Sequence, residues 1–133
     1  MSITSHIDTA KDLTTFTVTG VLSFDEVMPE IEAFHTGEPT KHVIWDLLAA
    51  TDVQFTSEQV ERVATYQPPY DGKKEAGKSA IVAREDFLFG LSRMFETQNN
   101  LTEAPYTVMV FRSIDEAYQW LDLPKTMPVP IHK

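Results

Sequence analysis

The stretch KSAIVAREDFLFGLSRMFE, residues 78–96, decides how the chain folds. Residues 79–83 are a short unbroken apolar run closed by Arg84, Glu85 and Asp86, which is how a strand buried on both faces reads. Past the charged trio, Phe87, Leu91, Met94 and Phe95 recur at four-, three- and one-residue steps and share one helical stripe that can pack on a sheet. The stretch is therefore strand, tight turn, helix. Leu88 and Phe89 are also apolar and widen the stripe beyond what one sheet face covers, and Gly90 sits inside the helix at a cost of about 1 kcal/mol relative to Ala. Two readings stay open: a well-buried helix in which Gly90 allows close packing, or an extra apolar face covered by a subunit contact or a ligand.

Downstream, residues 106–111 read as a last buried strand. Ser113-Ile114-Asp115-Glu116 then matches a capping box, and Ile114, Ala117, Tyr118 and Leu121 follow at i, i+3, i+4 and i+7, with Trp120 at the edge of the stripe. This is an amphipathic closing helix, and Pro124, Pro128 and Pro130 make residues 124–133 an extended tail.

Upstream, residues 42–48, HVIWDLL, form another buried strand in which Asp46 is the single polar residue. A buried carboxylate needs a partner. Asp46 either bonds the backbone of the following loop or, near the carboxyl end of a parallel strand, faces the crevice where open α/β sheets bind ligands. Thr56 and Gln59 form a second capping-box pattern ahead of Val60, Val63, Ala64 and Tyr66, and that helix ends before Pro68-Pro69. Residues 68–77, PPYDGKKEAG, are a loop long enough to move or to act, with Tyr70 either gripping a ligand or packed beneath the loop.

At the amino end Ile3, Ser5 and Ile7 alternate with Thr4, His6 and Asp8, and Phe16 and Val18 alternate with Thr15, Thr17 and Thr19. Two half-exposed strands joined by a short turn make an antiparallel hairpin, with His6 on its polar register and Gly20 closing it. Ser23-Phe24-Asp25-Glu26 matches a capping box for a helix that buries Phe24, Val27, Ile31 and Phe34 and stops at Gly37 and Pro39. Pro29 conflicts with that start, so the helix begins either at the box or at Pro29. The order is β-β-α-β-α-β-α-β-α, which with right-handed crossovers predicts a single α/β domain over residues 1–123, antiparallel at its hairpin and otherwise mostly parallel.

Composition narrows the function. A chain of 133 residues is one domain with a real core, and its net charge of −9 repels nucleic-acid backbones and anionic membrane surfaces. The basic cluster Lys73, Lys74 and Lys78, interrupted by Glu75, reads as a solvated loop. Without cysteine there is no disulfide, thiolate metal site or cysteine nucleophile, and the histidines at 6, 35, 42 and 132 lack the spacing of a helical zinc site. Neither a secretory leader nor an apolar span long enough for a membrane appears, so the expectation is a soluble cytoplasmic protein that needs no cofactor. Enzyme signatures fail in turn: no GxSxG elbow, no GxGxxG, no P-loop, no HExxH. Asp46, Arg84 and Arg112 lie at strand ends and would converge at one rim, more in the manner of a salt-bridge network than of a catalytic acid. Glu85 and Asp86 compete with any anion at the helix start behind Arg84, and Arg93 either reaches an acid on a neighbouring element or pairs with Glu96 or Glu85.

With its elements in this order the chain resembles the SpoIIAA-like family, also described as STAS or Sec14-like domains, and in particular a small bacterial branch. The likeness rests on Ala80-Ile81-Val82, on Phe89-Gly90-Leu91-Ser92-Arg93-Met94-Phe95-Glu96 and on residues 110–121, and covers residues 3–121. It implies a non-catalytic regulatory or binding domain that acts by associating with a protein partner or with itself. In relatives that antagonise anti-sigma factors, a serine after an aspartate near the start of the helix following the third strand is phosphorylated. Here Thr56 and Ser57 keep hydroxyls, but neither follows an aspartate and no glycine comes after them, so Thr56 reads as a plain helix cap. The Sec14-like side of the resemblance implies an apolar cavity for a lipid or other small molecule, which suits the broad face carrying Phe87, Leu88 and Phe89. A homodimer contact would bury that face equally well.

Overall fold

The computed structural model describes residues 2–66, 77–102 and 106–123. The elements are β1 (Ile3–Asp8), β2 (Leu13–Ser23), α1 (Phe24–Thr36), β3 (His42–Gln54), α2 (Ser57–Ala64), β4 (Gly77–Val82), α3 (Asp86–Asn100), β5 (Tyr106–Phe111) and α4 (Ile114–Leu121). The strands form one sheet in the order β1-β2-β3-β4-β5. β1 and β2 are antiparallel, and every later pairing is parallel. This is the expected order and topology.

Alternation along the strands divides the core in two. Phe16, Val18, Val43, Leu47, Ile81, Val108 and Val110 face one side and are covered by Val27 and Leu88, with Ile31, Phe34, Leu91 and Phe95 packed beside them. Leu13, Ile44, Ala80 and Val82 face the other and are covered by Ala117 and Leu121 of α4. Three helices thus lie on one face and α4 on the other. A parallel sheet survives only with both faces covered in this way.

The differences from the sequence reading have local causes. β3 does not stop at residue 48 but runs for 13 residues, because β2 continues beside it as far as Ser23 opposite Gln54. Gly20 therefore does not close the hairpin. It lies within β2 at φ 76°, where the register shifts between Gly20 and Val21, and serves as the bulge residue that a positive φ favours. α1 starts at Phe24 and carries Pro29 in its interior; Ser23 is its N-cap residue but makes no side-chain cap bond, so the Ser23–Glu26 box does not form.

α3 is rotated from the expected stripe. Leu88, Ser92 and Asn99 are its buried residues, and Phe89, Leu91 and Phe95 pack against the core. Phe87, assigned to the sheet-facing side, is 72% exposed, whereas Leu88, assigned to the outer face, is 5% exposed. The helix packs on both β5 and α2, so a wide apolar face is what two neighbours require. Gly90 is exposed, and a Cβ there would meet nothing within 4 Å. It does not serve close packing.

Candidate functional site

Chain direction puts the starts of α3 and α4 just beyond the carboxyl ends of β4 and β5. Arg112 follows β5 and ties these two starts together. Its Nη1 donates to the Arg84 carbonyl at 2.6 Å and to Asp86 Oδ1 at 2.9 Å, and its guanidinium lies 4.0 Å from the centre of the Phe89 ring. The Arg112 backbone N–H donates to Glu116 Oε1 at 3.3 Å, so Glu116 closes only half of the expected capping box: Ser113 Oγ accepts from the Glu116 N–H at 3.2 Å, but the carboxylate bonds one residue upstream. The Asp86 side chain is 96% exposed, which limits its ion pair with Arg112 to about 1 kcal/mol or less. The ring–cation contact and the bond to a backbone carbonyl hold the arginine more firmly. Phe87 projects beside this cluster into solvent, and a shallow cleft of about 590 Å³ runs between Phe89, Val110, Arg112 and Trp120.

Asp46 stands apart. Its Oδ1 accepts from the Leu48 N–H at 3.0 Å, within its own strand, and its neighbours in register are Thr17 and Val82. The bond is local, but it lies inside β3, which runs on to Gln54, and not in the following loop that was expected. Arg84 and Arg112 do meet at the rim, through the Arg84 carbonyl and not its guanidinium, and no described contact brings Asp46 to either. Arg93 takes its plain alternative, with Nε 3.3 Å from Glu96 Oε1.

A second cluster forms where β2 and β3 end together. Thr56 Oγ1 accepts from the Gln59 N–H at 3.1 Å and Gln59 Oε1 accepts from the Thr56 N–H at 3.0 Å, so this box closes completely. Phe55 packs edge-on to Phe24 at 6.1 Å, and Arg62 lies 5.1 Å from the Phe24 ring centre. Ser57 is exposed beside the cap. Tyr70 and the two lysines at 73 and 74 lie outside the described residues.

An apolar cavity was expected on the face of Phe87, Leu88 and Phe89; the one observed lies elsewhere, under the three helices. It measures about 90 Å³ and is walled by apolar side chains, among them Val27, Trp45, Phe55, Leu91 and Phe95, with Ser92 as its one polar residue. Ser92 is 5% exposed, and its side chain makes no hydrogen bond among the described residues. A smaller space of about 80 Å³ adjoins it past Trp45 and Phe95, bordered by His35, Tyr66 and Tyr106. Neither contains Phe87, Leu88 or Phe89. The resemblance pointed to a cavity, but its place depends on how three helices pack on the sheet, which the sequence pattern does not specify. Among the described residues no cluster of histidine, aspartate and glutamate is placed to hold a metal ion, and no helix is long and apolar enough to cross a membrane.

No protein-family model matches the chain, and no curated protein matches it in sequence. Solved structures do. A DUF3478-family protein with a SpoIIAA-like fold from Shewanella loihica PV-4 is 15% identical, with 90% of this chain and 94% of that one covered at a TM-score of 0.52. An anti-sigma factor antagonist from Mycobacterium paratuberculosis is 18% identical, with 91% of this chain and 95% of that one covered, also at a TM-score of 0.52. Nearly the full length of each chain is matched, and the sheet order, the antiparallel β1–β2 pair and the four helices agree with the expected architecture: the protein has a SpoIIAA-like α/β fold.

Proposed function

We propose that the protein is a non-catalytic regulatory domain that works by binding a protein partner across the rim formed by the starts of α3 and α4. The observation that carries this is Phe87, a large apolar side chain 72% exposed in the first turn of α3, beside an arginine–aromatic cluster. Aromatic and arginine side chains of this kind anchor protein interfaces. The polar groups of the rim are engaged in positioning one another: Arg112 with Asp86 and the Arg84 carbonyl, Glu116 with the Arg112 N–H. The likeness to an anti-sigma factor antagonist supports a partner-binding role on this fold. The test is affinity capture with the full chain from cells that express it, comparing wild type with Phe87→Glu. A protein retained by wild type and lost with the variant is expected. Identical retention by both would remove the rim from the reading.

A second reading has its own observation. The cavity beneath α1, α2 and α3, apolar except for Ser92 in its wall, suits a small apolar molecule carrying one hydrogen-bonding group. Its size, about 90 Å³ against the ~150 Å³ of an engineered cavity that takes benzene, excludes an acyl chain and holds a molecule smaller than an aromatic ring, such as a short alcohol. Native mass spectrometry of gently purified protein should then show added mass that Ser92→Phe abolishes. A spectrum free of adducts, together with no thermal shift from short-chain alcohols, would reject it.

A further inference from the structure

β1 and β5 are the two edges of the sheet, and side chains treat them differently. On β5, Asn99 Nδ2 donates to the Tyr106 carbonyl at 3.0 Å, and the Asn100 amide both donates to the Val108 carbonyl at 2.9 Å and accepts from the Val108 N–H at 3.1 Å. Beyond the strand, Glu116 takes the Arg112 N–H. These alternate residues are the ones whose backbone groups turn away from β4, so side chains occupy most of what an added strand would use. β5 is capped at Tyr106, Val108 and Arg112, which leaves Val110 as the one outward residue of the strand with no described cap.

β1 is an open edge. The Ser2 carbonyl accepts from the Thr19 N–H at 2.9 Å, which sets Ser2, Thr4, His6 and Asp8 as the residues bonded inward to β2. Alternation then turns the N–H and C=O groups of Ile3, Ser5 and Ile7 outward. Among the described residues no side chain caps these groups. Thr4, Ser5, His6 and Ile7 are exposed, Ile7 at 58%, and no proline, lysine or bulge guards the strand.

We propose that this edge docks a second copy of the chain, β1 against β1 in antiparallel register about a two-fold axis at Ser5. The inference rests on the reading that the domain acts by protein association and specifies one such contact. This register pairs the whole run 3–7 with its copy: Ile3 falls opposite Ile7, Thr4 opposite His6 and Ser5 opposite its own copy. The exposed Ile7 then lies beside the second copy's Ile3, on the sheet face that carries the main core. Repulsion between two chains of net charge −9 does not forbid it, because residues 3–7 carry no Asp, Glu, Lys or Arg. Asp8 falls opposite Ser2, so the two Asp8 carboxylates stand about 20 Å apart at ~3.4 Å per residue, well beyond the Debye length of about 8 Å at physiological salt. A six-residue edge buries little area, so the dimer is weak and reversible.

Sedimentation of the full chain over a concentration series reaching the millimolar range tests this. Wild type is expected to show a reversible monomer–dimer equilibrium. Ser5→Pro removes an outward N–H without breaking a β1–β2 bond, and Ser5→Lys sets two like charges at the axis; each should weaken the dimer by roughly tenfold or more with far-UV circular dichroism unchanged. If the proline disturbs the strand, the lysine variant carries the test alone. A wild type that stays monomeric, or a dimer that both variants leave intact, overturns the β1 contact. Neither outcome touches the rim reading, which stands or falls with Phe87→Glu.

Discussion

Two glycines separate cleanly by what surrounds them. A Cβ on Gly77 would stand 2.5 Å from the Lys41 carbonyl and 2.5 Å from Tyr106 Cε2, in a crowded corner where the Tyr106 hydroxyl donates to the Thr40 carbonyl. Thr40 in turn donates its own hydroxyl to the His42 carbonyl at 2.8 Å and so accepts from the buried Thr14 hydroxyl, also at 2.8 Å. Gly77→Ala has to displace backbone or a ring locked into this network and should cost roughly 2 kcal/mol or more. Gly90→Ala meets open space and removes a helix-interior glycine, so it should raise stability by about 1 kcal/mol, a gain of about 3–6 °C in melting temperature. Thermal and urea unfolding of the two variants decide both predictions. Ser92→Ala belongs with them: it removes a hydroxyl that borders the cavity and makes no described hydrogen bond, so it should change stability by less than about 1 kcal/mol in the unliganded protein.

Helix starts show why a motif is only half an argument. Three stretches carry the capping-box pattern, yet the box closes fully at Thr56 and Gln59, closes by half at Ser113, and fails at Ser23. At Ser113 the glutamate is drawn off by the Arg112 N–H, and Ser23 is still paired in β2 opposite Gln54, which places it in the sheet as much as at the helix. Thr56→Ala should therefore cost about 1 kcal/mol and Ser23→Ala a few tenths at most, as read from urea midpoints. The same contrast explains Phe87 and Leu88. Residues spaced for one stripe also fit a stripe shifted by one position when the helix touches two neighbours, and only the packing of α3 on β5 and α2 selects between them. At the strand edge, Asn100→Ala frees both Val108 backbone groups and should both lower stability and promote association through β5, visible as larger species in light scattering.

The chain's charge acts on the fold as a body. Twenty acidic and eleven basic residues leave −9 on a compact domain, and their mutual repulsion favours the expanded state. Raising sodium chloride from low to physiological concentration should raise the melting temperature, since screening weakens the repulsion over distances beyond about 8 Å. A melting temperature that falls with salt would mean that specific ion pairs outweigh net charge. The described pairs argue against that, because Asp8–Lys11, Arg93–Glu96 and Asp86–Arg112 are all partly or largely exposed.

Element order was legible before any coordinates, because it depends on periods that a chain cannot disguise: two-residue alternation in β1 and β2, short apolar runs in β4 and β5, and a 3.6-residue stripe in α4. The parallel topology followed from the alternation of strands and helices, and the likeness to SpoIIAA-like domains agreed with both. Asp46 and Thr56 were also readable, since each bonds within three residues of itself. What needed the tertiary structure was every property set by distant neighbours. The rotation of α3, the length of β3 beyond Asp46, the meeting of Arg112 with Phe89, the place of Ser92 in the cavity wall, and the contrast between a largely capped and an open edge all depend on side chains that lie far apart in sequence. Local pattern specifies which elements form; only packing decides which of their faces remain available for binding.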